Sequence, residues 1–298
     1  MKNSSTTAWM LMIILAVIWG SSFILIKRGL EAYTPLQVGA IRMGVSFLCL
    51  LPFLVKSLKK VPRDKWKYLF AAGWLGNGIP SILFPLAETH LNSALTGMLN
   101  SLTPLFTFII GISIFKMKFS QNKILGLVIG LIGACLLIAG RNSDDAQSDL
   151  FYTTAVIIAT FCYGTSVNII RSKLADIDSI SNSAMALLFT GLPMGASLFF
   201  TDFISRTQNI PGAGMSLMYV FILAIFGTAL STVLFNKLIK ISGALFATSV
   251  TYLIPIVAVL WGFADRETLT PIHFLGLSGA LIGVYLINKS SSTVKKQV

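Results

Sequence analysis

Ten times along its 298 residues the chain carries an apolar run with few charges. Most of these runs are about as long as the roughly 20 residues a helix needs to cross a bilayer. They lie at approximately Ala8–Ile26, Leu36–Val55, Trp66–Ala87, Leu95–Phe115, Ile124–Gly140, Leu150–Ile170, Ser183–Phe203, Ser216–Ile239, Gly243–Phe263 and His273–Ile287. Nothing else in the sequence restricts the fold as much, because in hydrocarbon a spanning segment must satisfy its own backbone hydrogen bonds. The predicted fold class is an all-α membrane protein with ten transmembrane helices. Composition agrees: 11% of residues are charged and 55% hydrophobic, against about 25% charged in soluble domains.

The first run is too long for a 7–15-residue signal core and lacks a small-residue cleavage site, so it reads as a span. Cys49, Cys135 and Cys162 all fall inside runs, at spacings that suggest neither metal nor redox chemistry. No cofactor is expected.

The net charge of +12 points to topology rather than to nucleic acid. With ten spans both termini share one side, and that side collects seventeen of the 23 Lys and Arg, including the cluster from Lys56 to Lys67. The other side has Lys27, Arg28, Arg141, Arg206 and Arg266, and Arg42 falls within a run. The positive-inside rule then places both termini in the cytoplasm of a bacterial-type inner membrane, with the Asn142–Ser148 loop outside. Lys27 and Arg28 run against that rule locally.

The chain also repeats itself. At a shift of 151 residues Gly76 meets Gly227, Phe84 meets Phe235, Pro104 meets Pro255 and Gly111 meets Gly262. At 144, "WGSSFILIK" from Trp19 meets "YGTSVNIIR" from Tyr163. Residues 9–141 and 150–288 form the two predicted units. Each has five spans, an odd number, so the second is inverted relative to the first. Inverted repeats are typical of secondary transporters, whose substrate site lies near the midplane where the copies meet.

These residues carry a family resemblance. "WGSSF" in the first span, "AIRMG" in the second, the prolines of the fourth and ninth, and the glycine-rich fifth and tenth resemble EamA-type drug/metabolite transporters from about Trp9 to Ile287. The chain departs from that pattern after the fourth span. Where such proteins commonly have a Gly-Glu pair, it reads Phe115-Lys116-Met117-Lys118, while Glu267 keeps the acid in the second half. The resemblance implies a ten-helix exporter or exchanger of small metabolites, amino acids or amphiphilic compounds among them. An importer or a nucleotide-sugar-type exchanger is the alternative within the fold.

The candidate site follows from the residues. Pro104 and Pro255 remove the helical donors to the carbonyls of Asn100 and Thr251. Breaks of this kind persist in a membrane where protein, water or ligand completes the bonding. The two prolines are read as hinges or site walls, with packing kinks as the competing explanation. Trp19 and Tyr163, deep in equivalent spans, are either pocket walls or core packing. Asn77, Asn100, Thr251 and Tyr252 could bind a polar substrate group or join helices by hydrogen bonds. Arg42 is the one charge placed well inside a run rather than near its end, and Glu88 or Glu31 is its expected partner, with a substrate carboxylate as the alternative. Lys27/Arg28 and Arg171/Lys173 follow equivalent spans, where cations complement the helix dipole.

No acid is expected deep within a span, with Glu88, His90, Asp265 and Glu267 all at edges, which favours facilitated export or exchange over a proton relay. Two histidines and no buried carboxylates leave an enzyme little to work with, and no continuous polar lining suggests a channel. The expected partners are the lipid bilayer and a small-molecule substrate. The Gly126/Gly130 and Gly279/Gly283 spacings are close-contact faces for the scaffold or for a homodimer.

Overall fold

The computed structural model describes residues 2–116, 122–139, 146–248 and 250–294. Among the described residues the regular elements are all helical. We label the principal helices α1 (Lys2–Leu30), α2 (Pro35–Lys60), α3 (Arg63–Glu88), α4 (Ser93–Ser113) and α5 (Asn122–Ala139), then α6 (Ala146–Lys173), α7 (Ser179–Phe200), α8 (Ala213–Ser242), α9 (Phe246–Ala264) and α10 (Pro271–Val294). A short linking helix, Phe203–Asn209, precedes α8. Eight of these are long and apolar enough to span a bilayer; α5 and α10 contain the shorter apolar stretches Val128–Leu137 and Pro271–Gly283. The expected fifth and tenth runs fall on those two helices. The predicted end of the first unit at residue 141, residues 142–145 of the Asn142–Ser148 loop, and Met117 and Lys118 lie outside the described residues.

Local chemistry sets the helix ends. Thr34 caps α2 in a reciprocal box with Gln37, with Pro35 in the first turn. Asp178 caps α7 by accepting from the Ser181 N–H at 2.9 Å. Gly243, at φ +83°, stops α8 in a conformation that an L side chain resists.

Packing joins the two halves. α2 lies along α7 and α5 along α10; α1 packs on α8 and α9, and α6 packs on α3 and α4. The α5–α10 contact rests on small residues: a Cβ on Gly133, Gly276, Gly279 or Gly283 would run into the backbone of the opposite helix. The close-contact faces legible in the sequence therefore meet each other within one chain. Large apolar side chains such as Leu48, Phe200 and Leu275 stand exposed, as suits a surface solvated by lipid.

The helices contain irregular turns, two of them away from the prolines that the sequence singles out. π-turns occupy Trp74–Gly78 in α3 and Ile225–Leu230 in α8, and the 151-residue shift superposes their starts. A 3₁₀ turn, Asn100–Leu102, precedes Pro104, which sits in the first turn of the segment Thr103–Ser113. The Asn100 carbonyl is not orphaned as expected, because the Thr103 N–H donates to it. Proline is accommodated by tightening the preceding turn rather than by breaking the helix. Pro255 lies inside the segment Val250–Ala264.

Candidate functional site

The π-turns place backbone and side chains around a central cavity with about 960 Å³ of empty space, counted out through its mouth. Inserting one residue per turn frees carbonyls, and π-turns recur at functional sites. The Trp19 indole N–H donates to the Gly227 carbonyl at 3.1 Å, Ser46 Oγ to the Ala224 carbonyl at 2.8 Å, and Ser81 Oγ to the Gly78 carbonyl at 2.7 Å. Thr232 Oγ1 donates to Asn77 Oδ1 at 3.5 Å across the two halves. At Gly76 a Cβ would strike Ser166 Oγ, so the glycine lets the turn of α3 approach α6.

Trp19, Arg42, Asn77, Asn100, Tyr163 and Thr251 all line this cavity. The walls are aromatic. Tyr163 stacks on Phe84 with ring centres 5.7 Å apart, Phe84 meets Phe23 edge-on, and Trp19 meets Phe235 edge-on at 5.0 Å. Tyr252, Glu88, Pro104 and Pro255 are not among the lining residues; the two prolines adjoin Thr103 and Ile254, which are. Sequence reasoning missed Phe84, Phe235 and Asn236. Phe84 and Phe235 were visible as a repeat-related pair but carried no polar signal. Asn236 donates to Ser183 Oγ at 2.9 Å, while its own Oδ1 has no partner.

Arg42 is the cationic element of the cavity. It is 8% exposed, and its Nε donates to Thr228 Oγ1 at 2.7 Å, with the Tyr163 hydroxyl beside the guanidinium. Neither expected ion pair forms. Glu31 pairs with Arg28 at 2.7 Å, and both carboxylate oxygens of Glu88 lack hydrogen-bond partners. Glu88 does sit at the edge of its span, as the last residue of α3, but it is buried, which corrects the expectation of no buried carboxylate. A guanidinium with hydroxyl partners and no carboxylate, on the wall of a cavity, is equipped to receive an anionic group.

Lys27 and Arg28 do more than complement a helix dipole. Lys27 Nζ lies 2.6 Å from Asp265 and 2.7 Å from Glu267, and Arg28 contacts Asp265. Glu267, with its side chain 2% exposed, also accepts from Ser93 N–H at 3.1 Å, Ser93 Oγ at 2.8 Å and Ala94 N–H at 2.9 Å. Its carboxylate thus sits at the N-terminus of α4. Burial pushes this carboxyl up, but Lys27 and the Ala94 and Ser93 donors outweigh it and hold Glu267 below the usual range. Among the described residues no group of His, Cys, Asp and Glu could hold a metal ion.

Long apolar helices around a cavity with aromatic walls and a buried cation define a multi-pass integral membrane protein. The comparisons give the family: the EamA-like transporter family matches residues 6–139 and 150–289, and the chain belongs to it. An uncharacterized inner membrane transporter of Escherichia coli K12, YedA, is 28% identical over 92% of this chain and 88% of its own. An uncharacterized transporter of Archaeoglobus fulgidus is 21% identical over 94% and 98%. A crystal structure of a 12% identical protein aligns with a TM-score of 0.67 over 98% of this chain and 99% of that one, a likeness of fold.

Proposed function

We propose that the protein is a secondary transporter that exports or exchanges small amphiphilic metabolites by alternating access. Its ten helices act as two inverted repeats, residues 9–141 and 150–288, with both termini in the cytoplasm. The observation that carries this reading is that repeat-related positions line one cavity: Trp19 with Tyr163, Phe84 with Phe235, and Asn100 with Thr251. The packing supports it. α1 against α8 and α9 has its inverted counterpart in α6 against α3 and α4, while α2–α7 and α5–α10 are self-related pairs. Such an arrangement lets one half rock against the other around a fixed site.

In this reading Arg42 takes a carboxylate or other anionic group, the aromatic walls take the apolar body, and Asn77, Asn100 and Thr251 orient polar substituents. The paired π-turns, together with Pro104 and Pro255, are the places where the helices flex. Counterflow in proteoliposomes, run across amino acids and amphiphilic carboxylates, tests the proposal. Saturable exchange is expected, and Arg42→Gln should depress anionic and zwitterionic substrates at least tenfold while sparing neutral ones. Flux that never saturates would overturn the carrier, and equal losses for all substrates would remove Arg42 from recognition.

A further inference from the structure

Glu88 is not explained by substrate recognition. Among the described residues it is the one acid buried as a whole residue, at 8% exposure, and neither carboxylate oxygen has a donor. It lies one turn beyond Phe84 on the same helix, just past the cavity wall. An enclosed carboxylate without hydrogen bonds is strongly unfavourable when ionised, and far less so when it carries a proton.

The surroundings point the same way. The last segment of α3 packs against α1, α2, α4 and α6. α1 brings Lys27, held by Asp265 and Glu267, and Arg28, held by Glu31 and Asp265. α2 brings Arg42, whose Nε is directed at Thr228, and α4 carries no charged residue. α6 brings Tyr152, Cys162 and Tyr163; His90, just beyond α3, stacks on Tyr152. Of these groups and the nearby loop, Glu267, Lys27 and Arg42 are the charges that act on Glu88, and both cations are turned to other partners.

We propose that Glu88 is a proton-binding site, loaded while the Lys27–Glu267 contact is closed and emptied when that contact opens. On opening, the carboxyl O–H bond breaks, the proton passes to entering water, and the new carboxylate faces the released Lys27 ammonium. The site itself stands on burial and missing donors. Its consequence, that transport is driven by or drives protons, rests on the alternating-access reading above.

Infrared spectroscopy of the protein in lipid vesicles tests the site without any substrate. The carbonyl band of a protonated carboxylic acid should be present at pH 7 in the native protein and missing in Glu88→Gln. Glu267→Gln, which loosens Lys27, should weaken proton affinity at Glu88 at least tenfold. Absence of the native band, or indifference to Glu267→Gln, would overturn the proposal. So would a Glu88→Gln variant that fails to fold, since the amide closely matches a neutral acid in shape. Accessibility of a cysteine at Asn77, with the native cysteines replaced, reads the consequence: it should change with pH in the native background and not with Glu88→Gln. A native band with pH-independent accessibility would leave the proton site standing and sink its coupling to alternating access.

Discussion

The two ends of the helical bundle are tied differently, although the chain that builds them is repeated. At the end where α1 stops, Lys27 reaches from the first half to Asp265 and Glu267 in the second, and Glu267 also caps α4. The 144- and 151-residue shifts give the counterparts of Lys27 and Glu267 as Arg171 and Lys116. Two cations cannot make that contact. At the end where α1 starts, the ties run from other places: Lys60 to Asp178 at 2.8 Å and Lys65 to Asp176 at 3.2 Å. Asp176 is largely exposed, so its pair contributes little, whereas Glu267 is enclosed and holds four donors. One end of the bundle thus has an enclosed latch and the other has more exposed pairs.

The largest effect is expected from Glu267→Ala. It leaves the Ser93 and Ala94 N–H groups without acceptors and should cost about 2–4 kcal/mol, read as a lowered Tm in detergent. If Tm holds, the latch is not a stabilising element. Next, Lys116→Glu restores an acid at the position related to Glu267. Facing Arg171 it should stabilise closure of the opposite end by about 0.5–1.5 kcal/mol, seen as reduced labelling of a cysteine at Thr248 from that side. Unchanged labelling would mean that the two ends do not work by the same geometry.

Acid should separate the ends as well. Glu267 is held below its usual range, so its contribution is complete above the unfolded-state value of about 4.3 and fades as pH falls through the folded one. At the other end burial opposes ionisation of Asp178, but Lys60 and the Ser181 donor prevail and hold it at about 2. Lys60 approaches Oδ2 as a charge rather than along a hydrogen-bond direction. Its contribution is lost only between about pH 4 and about 2. In a comparison of Tm against pH, Glu267→Gln should flatten the acid limb from about pH 4.3 downward, and Asp178→Asn should flatten it between about pH 4 and about 2. Identical acid limbs in both variants would erase the distinction.

Much of this was legible in the sequence because burial in lipid leaves a plain signature. Apolar length gave the helices, glycine spacing gave the α5–α10 contact faces, and the internal shifts paired Trp19 with Tyr163 and Asn100 with Thr251 before any coordinate was known. The break at Pro104 was legible as a residue but not as a geometry. Proline announces a missing donor, yet only the neighbouring backbone decides whether a 3₁₀ bond from Thr103 makes up for it. The π-turns left no such mark, since Trp74–Gly78 and Ile225–Leu230 share little beyond one glycine in register.

Hydropathy and repetition are properties of the chain read one residue after another, so they determined that this protein spans a membrane in helices and duplicates its own pattern. Partnership is not such a property. Lys27 finds Glu267 across 240 positions, Arg42 finds Thr228 across 186, and Glu88 finds no donor at all. Each outcome depends on where helices distant in the chain stop relative to one another. The tertiary structure alone decided it, because an ion pair or a hydrogen bond is settled over a few ångströms, and no periodicity in the sequence measures that distance.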